Sequence, residues 1–503
     1  MATARRASPR VGRWNLVVLI VLVLGSLAVR LPAIAPEPTC PPLTREFLFA
    51  RAIYFDWLGD AVPAWRRNVS DAQTARMTHP APPVAETVGA IIYKAAGRET
   101  PRTARALSAI YWTVAGVCFF LAARRWTSDA AALTGAAVLL FLPWTLPESR
   151  QFGATPLALM NMGLALLTFA RYGEQPTRSR LVWSALATTA AIAVRPMTGF
   201  FLFPAFAAVR AERVPIRRAL FDRDTWLFAA IATLPTMLFY GWALPTDPMM
   251  RTRVATDLTY GLLFQASFWR GWWAMIGTTI TIPVFVAAVL LVPFARGRTL
   301  KTMLAAMWLG YVLYGIAFNF HTVTHPYYQA LALPLIALSI ASLGLLRSNG
   351  LLARSTPLVL AAVLMLAGGR SDPMAEPQAA SEVAAYRAIG DLTGHSTRTV
   401  YMSECWGDSL GYYGEVAGRP WPTVYEVQMY KPVGAHGVPD ITADARLQLA
   451  SGQLGGAEYF ISTDLAELAR QPDLQRLLDE RYRLIARTAT YVVYDLRRPG
   501  SVP

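Results

Sequence analysis

Lysine is almost missing from this chain. Of its 47 basic residues, only Lys94, Lys301 and Lys431 are lysine; the rest are arginine. With abundant alanine, that bias is the kind a GC-rich bacterial genome imposes. Charge of either sign is scarce: 16% of the 503 residues are charged and 54% are hydrophobic. This balance excludes a large soluble protein and indicates a polytopic membrane protein. Cysteine is limited to Cys40, Cys118 and Cys405, with no metal-ligand spacing among them. Cys118 falls in an apolar run, where packing accounts for it. There is no internal repeat and no low-complexity tract. In a soluble chain the net charge of +15 would point to nucleic acid. Here the arginines gather in short loops between apolar runs, so membrane topology explains them and no nucleic-acid partner is expected.

After a basic head, Trp14 to Ile34 is apolar for long enough to cross a bilayer. It is too long for a signal-peptide h-region and further spans follow, so it reads as a first span with a cytoplasmic N-terminus. Ten more apolar runs follow at 104–123, 130–146, 156–171, 181–194, 197–209, 225–243, 274–294, 302–319, 327–346 and 351–369. The fold class is therefore mainly α, a multi-pass plasma-membrane protein with about eleven transmembrane helices. Arginine supports this count. Arg124-Arg125, Arg171 to Arg180, Arg210 to Arg223, Arg296 to Lys301, and Arg347 with Arg354 mark cytoplasmic loops, and the alternate loops carry few cations. The runs 181–194 and 197–209 are each only about 20 Å long as helices. Basic loops on both sides require an even number of crossings, so the pair is expected to be a hairpin with Arg195 at its outer tip.

Parity places 370–503 outside the membrane, and composition changes there. The reading is a transmembrane domain over 1–369 and an extracytoplasmic α/β domain over 370–503. The latter is expected to hold helices at 379–393, 409–417, 443–451 and 474–480. Its strands are expected at 397–404, 457–463, 484–489 and 491–496, with 418–440 irregular. The same parity puts Cys40 and Cys405 on one side, which leaves a disulfide between them open.

The long polar segment 35–105 lies between the first two apolar runs. Arg45 to Leu58 sets Phe47, Ala50, Ile53, Tyr54 and Trp57 at helical spacing. Val84 to Ala96 does so with Val84, Val88, Ile91, Ile92 and Ala95, after a Pro82-Pro83 start. Such helices lie in the membrane interface. Parity puts Glu46, Asp56, Asp60, Glu86, Glu148, Arg150, Arg195, His321 and His325 on the same outer side. A charge at membrane depth usually has a partner or a job. The bland alternatives are arginines that snorkel to headgroups, histidines that cap helices, and carboxylates that are simply solvated. The aromatic run Tyr260, Phe264, Phe268, Trp269, Trp272, Trp273 reads as an interfacial belt.

Short motifs add a resemblance. Ala50 to Tyr54 reads ARAIY, Gly59-Asp60 precedes Trp65, and Pro82 to Gly97 reads PPVAETVGAIIYKAAG. Ser149 to Phe152 reads SRQF, followed by Pro156-Leu157, and Thr324 to Ala341 reads THPYYQALALPLIALSIA. The distal part carries YYGEVAGRPWP from Tyr412 and YVVYDLR from Tyr491. Together these resemble the GT-C-fold glycosyltransferases, among them the protein mannosyltransferases and the aminoarabinose transferase of lipid A. The resemblance implies a polyprenyl-phosphate-linked sugar donor and an acceptor hydroxyl on the extracytoplasmic face. It also implies inversion at the anomeric carbon and no metal or cofactor, with the acceptor left open between protein, lipid and glycan. The base would be Glu46 or Glu86, with Asp56 behind them. Arg150, Arg195 and His325 would hold the donor phosphate, aided by the Tyr327 and Tyr328 hydroxyls. Trp406, Tyr412, Tyr413 and Trp421 are candidates for sugar stacking. The chain also departs from the pattern. Where relatives start the first interfacial helix with an aspartate base, this chain has Pro42, and a Pro-Asp pair is replaced by Ala154-Thr155. A non-catalytic lipid-glycan scaffold is the alternative, and a transporter a further one, although repeats are missing and the charges sit at span ends.

Overall fold

The computed structural model describes residues 11–34, 37–39, 43–77, 81–219, 221–247, 250–251, 254, 258–343, 351–368, 379–424 and 456–499. In chain order the principal helices begin with α1 (Arg13–Arg30), α2 (Arg45–Leu58), α3 (Ala64–Thr74), α4 (Val84–Ala96), α5 (Pro101–Ala123) and α6 (Asp129–Phe141). Next come α7 (Ala154–Glu174), α8 (Arg178–Val194), α9 (Gly199–Ala211), α10 (Arg223–Thr246), α11 (Ala266–Thr279) and α12 (Ile282–Leu291). The last are α13 (Arg298–Ala317), α14 (Leu333–Ile340), α15 (Leu351–Gly368), α16 (Ala379–Thr393), α17 (Asp408–Gly414) and α18 (Pro472–Arg481). The strands are β1 (Thr399–Met402), β2 (Gly418–Pro420), β3 (Tyr459–Ser462), β4 (Tyr482–Arg487) and β5 (Val492–Pro499).

The chain divides into two compact units. The first, helical unit is Met1–Ile34, Arg105–Thr246 and Leu263–Pro373; the second is Ala35–Ala104, Asp247–Leu262 and Met374–Pro503.

In the helical unit each of the eleven apolar runs contains helix among the described residues, but they differ in reach. Among the described residues α1, α5, α10 and α13 are long and apolar enough to cross a membrane. The pair Ala266–Thr279 and Ile282–Phe294 makes a fifth if its 96° bend counts as one broken span. Thr281 absorbs that bend with φ 68°. Shorter apolar helices such as Asp129–Phe141 fill the centre. All of Ala130 to Phe141 is buried. A helix apolar all round belongs inside a bundle, and α6 packs there against α1, α14 and α15. Small residues let such helices approach closely where lipid offers no hydrophobic driving force. At Gly310 of α13 any Cβ would collide with the Phe200 carbonyl of α9. The rim is the reverse: Met237, Leu238 and Trp242 of α10 are about two-thirds exposed apolar surface. The aromatic run is divided. Trp269, Trp273 and Phe264 are exposed, whereas Phe268 and Trp272 are buried.

The second unit is built on a mixed sheet of order β2-β1-β3-β5-β4. Strands β2, β1 and β3 run parallel, and β5 and β4 continue antiparallel. Trp421, Phe460, Leu474 and Leu478 pack one core of the sheet, and Ile389, Leu410, Val416 and Ile461 another. Most expected elements of this segment are present, and α16 matches its expected bounds. The stretch expected to be irregular contains β2, which pairs with β1 from Thr399 to Tyr401. The helix expected at 443–451 lies outside the described residues. Tyr412 and Trp421 are buried core residues, the commoner reading for such aromatics, whereas Trp406 is 45% exposed. Cys405 is disulfide-bonded, Cys118 is a free thiol, and Cys40 lies outside the described residues.

Segment 43–104 packs within this same unit. Helices α2 and α4 have the expected bounds, and α3 adds a third helix between them. Phe47, Ala50 and Tyr54 of α2 are buried as expected, but α4 is turned around. It buries Ala85, Gly89, Ala90 and Tyr93, and leaves Ile91 54% exposed. Small residues make the close protein contact, and the greasy stripe read from the sequence faces outward, as an interfacial helix requires.

Candidate active site

The second unit holds two candidate carboxyls, Glu46 on α2 and Asp408 on α17. Glu46 lies in the first turn, with its side chain 13% exposed and 3.9 Å from the Arg45 guanidinium. Asp408, at the head of α17, is 9% exposed. Burial pushes the Asp408 carboxyl up to about 7; Glu46 adds to the rise, and Arg45 opposes it. Helix packing holds α2 against α17: the Phe47 and Tyr412 rings lie 5.9 Å apart, edge to face. Gln73 of α3 clamps the far end of α17, donating to the carbonyls of Gly411 and Val416 at 2.8 Å each.

Asp408 follows an unusual turn. Cys405, Trp406 and Gly407 all have left-handed φ values, of 45°, 59° and 79°. Two of the three are not glycine, so the surrounding structure must enforce this conformation. At Gly407 a Cβ would meet the Tyr401 ring.

The other carboxylate candidates differ. Asp56 is solvent-exposed near the C-terminal end of α2, and Glu86 is half-buried in the first turn of α4. Asp60 is exposed and pairs with Arg67 at 3.2 Å.

A buried ionic network lies one to two turns further along α2. Arg51 donates to Glu99 at 2.7 Å and to the Tyr412 carbonyl at 2.8 Å, with its guanidinium 3.8 Å from the Tyr412 ring centre. Arg66 grips Glu415 with Nε at 2.9 and 3.0 Å from the two carboxylate oxygens, and reaches Glu99 at 3.2 Å. Burial alone would raise Glu99, but the Arg51 and Arg66 guanidiniums outweigh it and hold the carboxyl below its usual range. Burial pushes the Tyr93 phenol up, and Glu99 adds to that shift. Sequence reading missed Asp408, Glu99 and Glu415. Glu415, inside the YYGEVAGRPWP motif, was the most accessible of the three. Its left-handed φ of 48° makes it a fixed, over-determined position.

The cations form a separate cluster inside the helical unit. Arg195 ends α8 in extended conformation, and its guanidinium carbon lies 5.4 Å from the centre of the Tyr327 ring. His325 ends the short helix Asn319–Thr324. Its ring stacks 5.0 Å from His321 and meets Tyr327 edge to face at 5.4 Å, with Nδ1 2.7 Å from the Thr324 hydroxyl. Tyr328 stacks 5.0 Å from His321, and its carbonyl accepts from the Tyr314 hydroxyl at 3.0 Å. Gln329 fixes the floor by accepting from the Tyr311 hydroxyl at 2.7 Å and donating to the Thr322 carbonyl at 3.0 Å. The structure thus brings Arg195, His325, Tyr327 and Tyr328 together and adds His321. The same unit holds an apolar cavity of about 500 Å³, lined by Ile192, Pro196, Phe203, Met237, Tyr240 and Leu244, with Pro196 next to Arg195 in the chain.

Arg150 is set in a different frame. It is 2% exposed, its Nε donates to the Leu146 carbonyl at 3.1 Å, and its own carbonyl accepts from Arg105 at 2.8 Å. Arg30 is packed nearby, donating to Ser149 at 2.6 Å and to the Leu140 carbonyl at 2.6 Å.

The backbone settles the fold. ArnT from Cupriavidus metallidurans, bound to undecaprenyl phosphate, superposes with a TM-score of 0.58 over 96% of this chain and 98% of that one. The chain has the GT-C fold. The oligosaccharyltransferase of Archaeoglobus fulgidus gives 0.52 over 95% of this chain and 73% of its own. Mycobacterial arabinofuranosyltransferase AftD gives 0.50 over 97% of this chain and 42% of its own. Identities are 13%, 12% and 14% respectively, so the GT-C likeness lies in the path of the chain rather than in its residues. No family model and no curated protein matches the sequence.

Proposed function

We propose that this GT-C protein is a membrane glycosyltransferase that moves a sugar from a polyprenyl-phosphate donor to an acceptor hydroxyl on the extracytoplasmic face. The observation that carries this reading is Arg195, held against Tyr327 beside the His321–His325 stack, in a unit that also holds an apolar cavity lined by the following Pro196. A planar guanidinium suits phosphate, and an apolar slot suits the isoprenoid chain attached to it. In the reaction the acceptor oxygen attacks C1 of the sugar from the face opposite the phosphate, so the anomeric centre inverts. Arg195 and His325 stabilise the charge that the departing polyprenyl phosphate gains, with the Tyr327 and Tyr328 hydroxyls close by. Glu46 takes the acceptor proton. The chemistry invokes no metal ion and no cofactor. Membrane lipids surround the donor, and the acceptor is a protein, lipid or glycan hydroxyl.

The test is donor turnover in detergent with undecaprenyl-phosphate-linked hexoses and pentoses. Arg195→Ala is expected to weaken donor binding at least tenfold, the scale of a charge-assisted contact. Glu46→Gln is expected to keep donor binding and lose about 10²–10⁴-fold in turnover. Donor binding without turnover by the wild-type protein would favour the scaffold reading instead.

A further inference from the structure

The Thr324 hydroxyl is caught between two groups. It donates to the Phe320 carbonyl one helical turn back, at 2.8 Å, and lies 2.7 Å from Nδ1 of His325. A hydroxyl has one hydrogen to give. Here the backbone takes it, so toward His325 the Thr324 oxygen only accepts, and the hydrogen between them belongs to Nδ1. The partner of one ring nitrogen thereby fixes the state of the other. In the neutral ring Nε2 carries a lone pair and no hydrogen. A phosphodiester offers only acceptor oxygens, and two acceptors do not bond. Nε2 therefore meets such a phosphate only after the ring has gained a second proton. The groups that face the ring are His321, buried and stacked 5.0 Å away, Tyr327 at 5.4 Å and Tyr328 at 6.2 Å, with Arg195 over Tyr327. Of the elements packed most closely on 319–324 and 326–332, α11 carries only the exposed Arg270, and α14 carries no titratable group. On α13 the titratable groups are Arg298, Lys301, Tyr311 and Tyr314, and on α7 they are Arg171, Tyr172 and Glu174. Glu174, the carboxylate among them, ends α7 and pairs with Arg125.

We propose that Thr324 is a positioning residue that holds His325 in one tautomer, so that His325 engages the donor phosphate only as an imidazolium and donor binding takes up a proton. This rests on the glycosyl-transfer reading given above. The donor is a phosphodiester, with no proton of its own to share near neutral pH, so the proton comes from water. The ring goes from neutral to singly positive, and the only bond that forms in this step is N–H. The empty site is thus spared a permanent second cation at membrane depth, where charge is costly. The cation is in place when the C1–oxygen bond breaks and the departing phosphate takes the electron pair.

Calorimetric titration of the full-length protein in detergent, in buffers of different ionisation enthalpy, counts the protons taken up. The ligands are undecaprenyl-phosphate-linked hexose and pentose. At pH 8, where a plain imidazole is largely neutral, the wild type is expected to take up about one proton per donor bound. Its Kd should then rise about tenfold from pH 8 to pH 9, the slope of a one-proton linkage. Thr324→Val removes the hydroxyl and keeps the shape. The neutral ring is then free to carry its hydrogen on Nε2 and donate it. Uptake should fall below about half a proton, and Kd should change less than about threefold over the same range. Thr324→Ser returns the hydroxyl and should return the uptake, which a merely structural role for Thr324 would not govern. His321→Phe keeps a stacked ring without a titrating group and should leave the uptake in place. A wild type that binds donor with no proton uptake, or a Thr324→Val protein that takes up the same proton, overturns the proposal and leaves glycosyl transfer standing. Loss of uptake in His321→Phe assigns the proton to His321 and overturns it as well. If neither donor binds the wild type, the glycosyl-transfer reading fails, and the role of Thr324 falls with it.

Discussion

Arg51 shows what a single side chain does here. It is 5% exposed, and its charge is balanced by Glu99 inside the fold. Removing one member of a buried pair strands the other, which costs about 3–5 kcal/mol. Glu99→Gln is therefore expected to destabilise the second unit by an amount of this order, read as lower melting temperature and faster proteolysis. The paired change Arg51→Met with Glu99→Leu should cost much less. Asp56→Asn should leave turnover within about twofold, because that carboxylate is exposed near the far end of α2. At this scale the sequence was partly legible. Glu46 stood out because it opens an amphipathic helix. Asp408 did not, because nothing local in Cys-Trp-Gly-Asp reveals a left-handed turn. Glu415 likewise shows no local sign of Arg66, its partner 349 positions away in the chain.

Among elements, the bounds of α2, α4 and α16 were readable because caps, prolines and 3.6-residue periodicity agree there. The orientation of α4 was not. Hydrophobic periodicity marks a stripe but not its solvent, and next to a membrane the stripe points outward. Strand β2 escaped because three residues, Gly-Arg-Pro, carry no period, and only pairing with β1 makes them a strand. Close helix contacts carry their own prediction. Gly310→Leu should separate α9 from α13 and cost roughly 1–3 kcal/mol or more, seen as poor yield and a lower melting temperature in detergent.

For the molecule, the eleven helical runs were legible from hydropathy, while the number that span was not, because length and apolarity divide them so unevenly. The pH dependence also belongs at this scale, since two groups in one unit act in opposite directions. Glu99 is held below its usual value, so its contribution is present above about pH 4.5 and is lost as pH falls through its folded value. Asp408 is raised from 3.8 to about 7, so stability falls as pH rises through that window. The second unit is therefore expected to be most stable in mild acid, which melting curves from pH 3 to 8 would check. Removing the segment from Met374 onward should leave 43–104 open to protease, since Arg51, Arg66 and Gln73 would lose their partners on Tyr412, Glu415 and Gly411.

That composition has a consequence for biosynthesis. The second unit is assembled from an early segment, a short middle one and a late one, with most of the helical unit synthesised between the first and the last. At about 5–20 residues per second, the early segment waits on the order of tens of seconds before its partner is made. During that time the buried charges of Arg51 and Glu99 and the apolar stripe of α4 have only lipid, water and chaperones for company. A premature stop codon late in the message would therefore do more than trim the C-terminus: it would leave the first loop without the half it folds against.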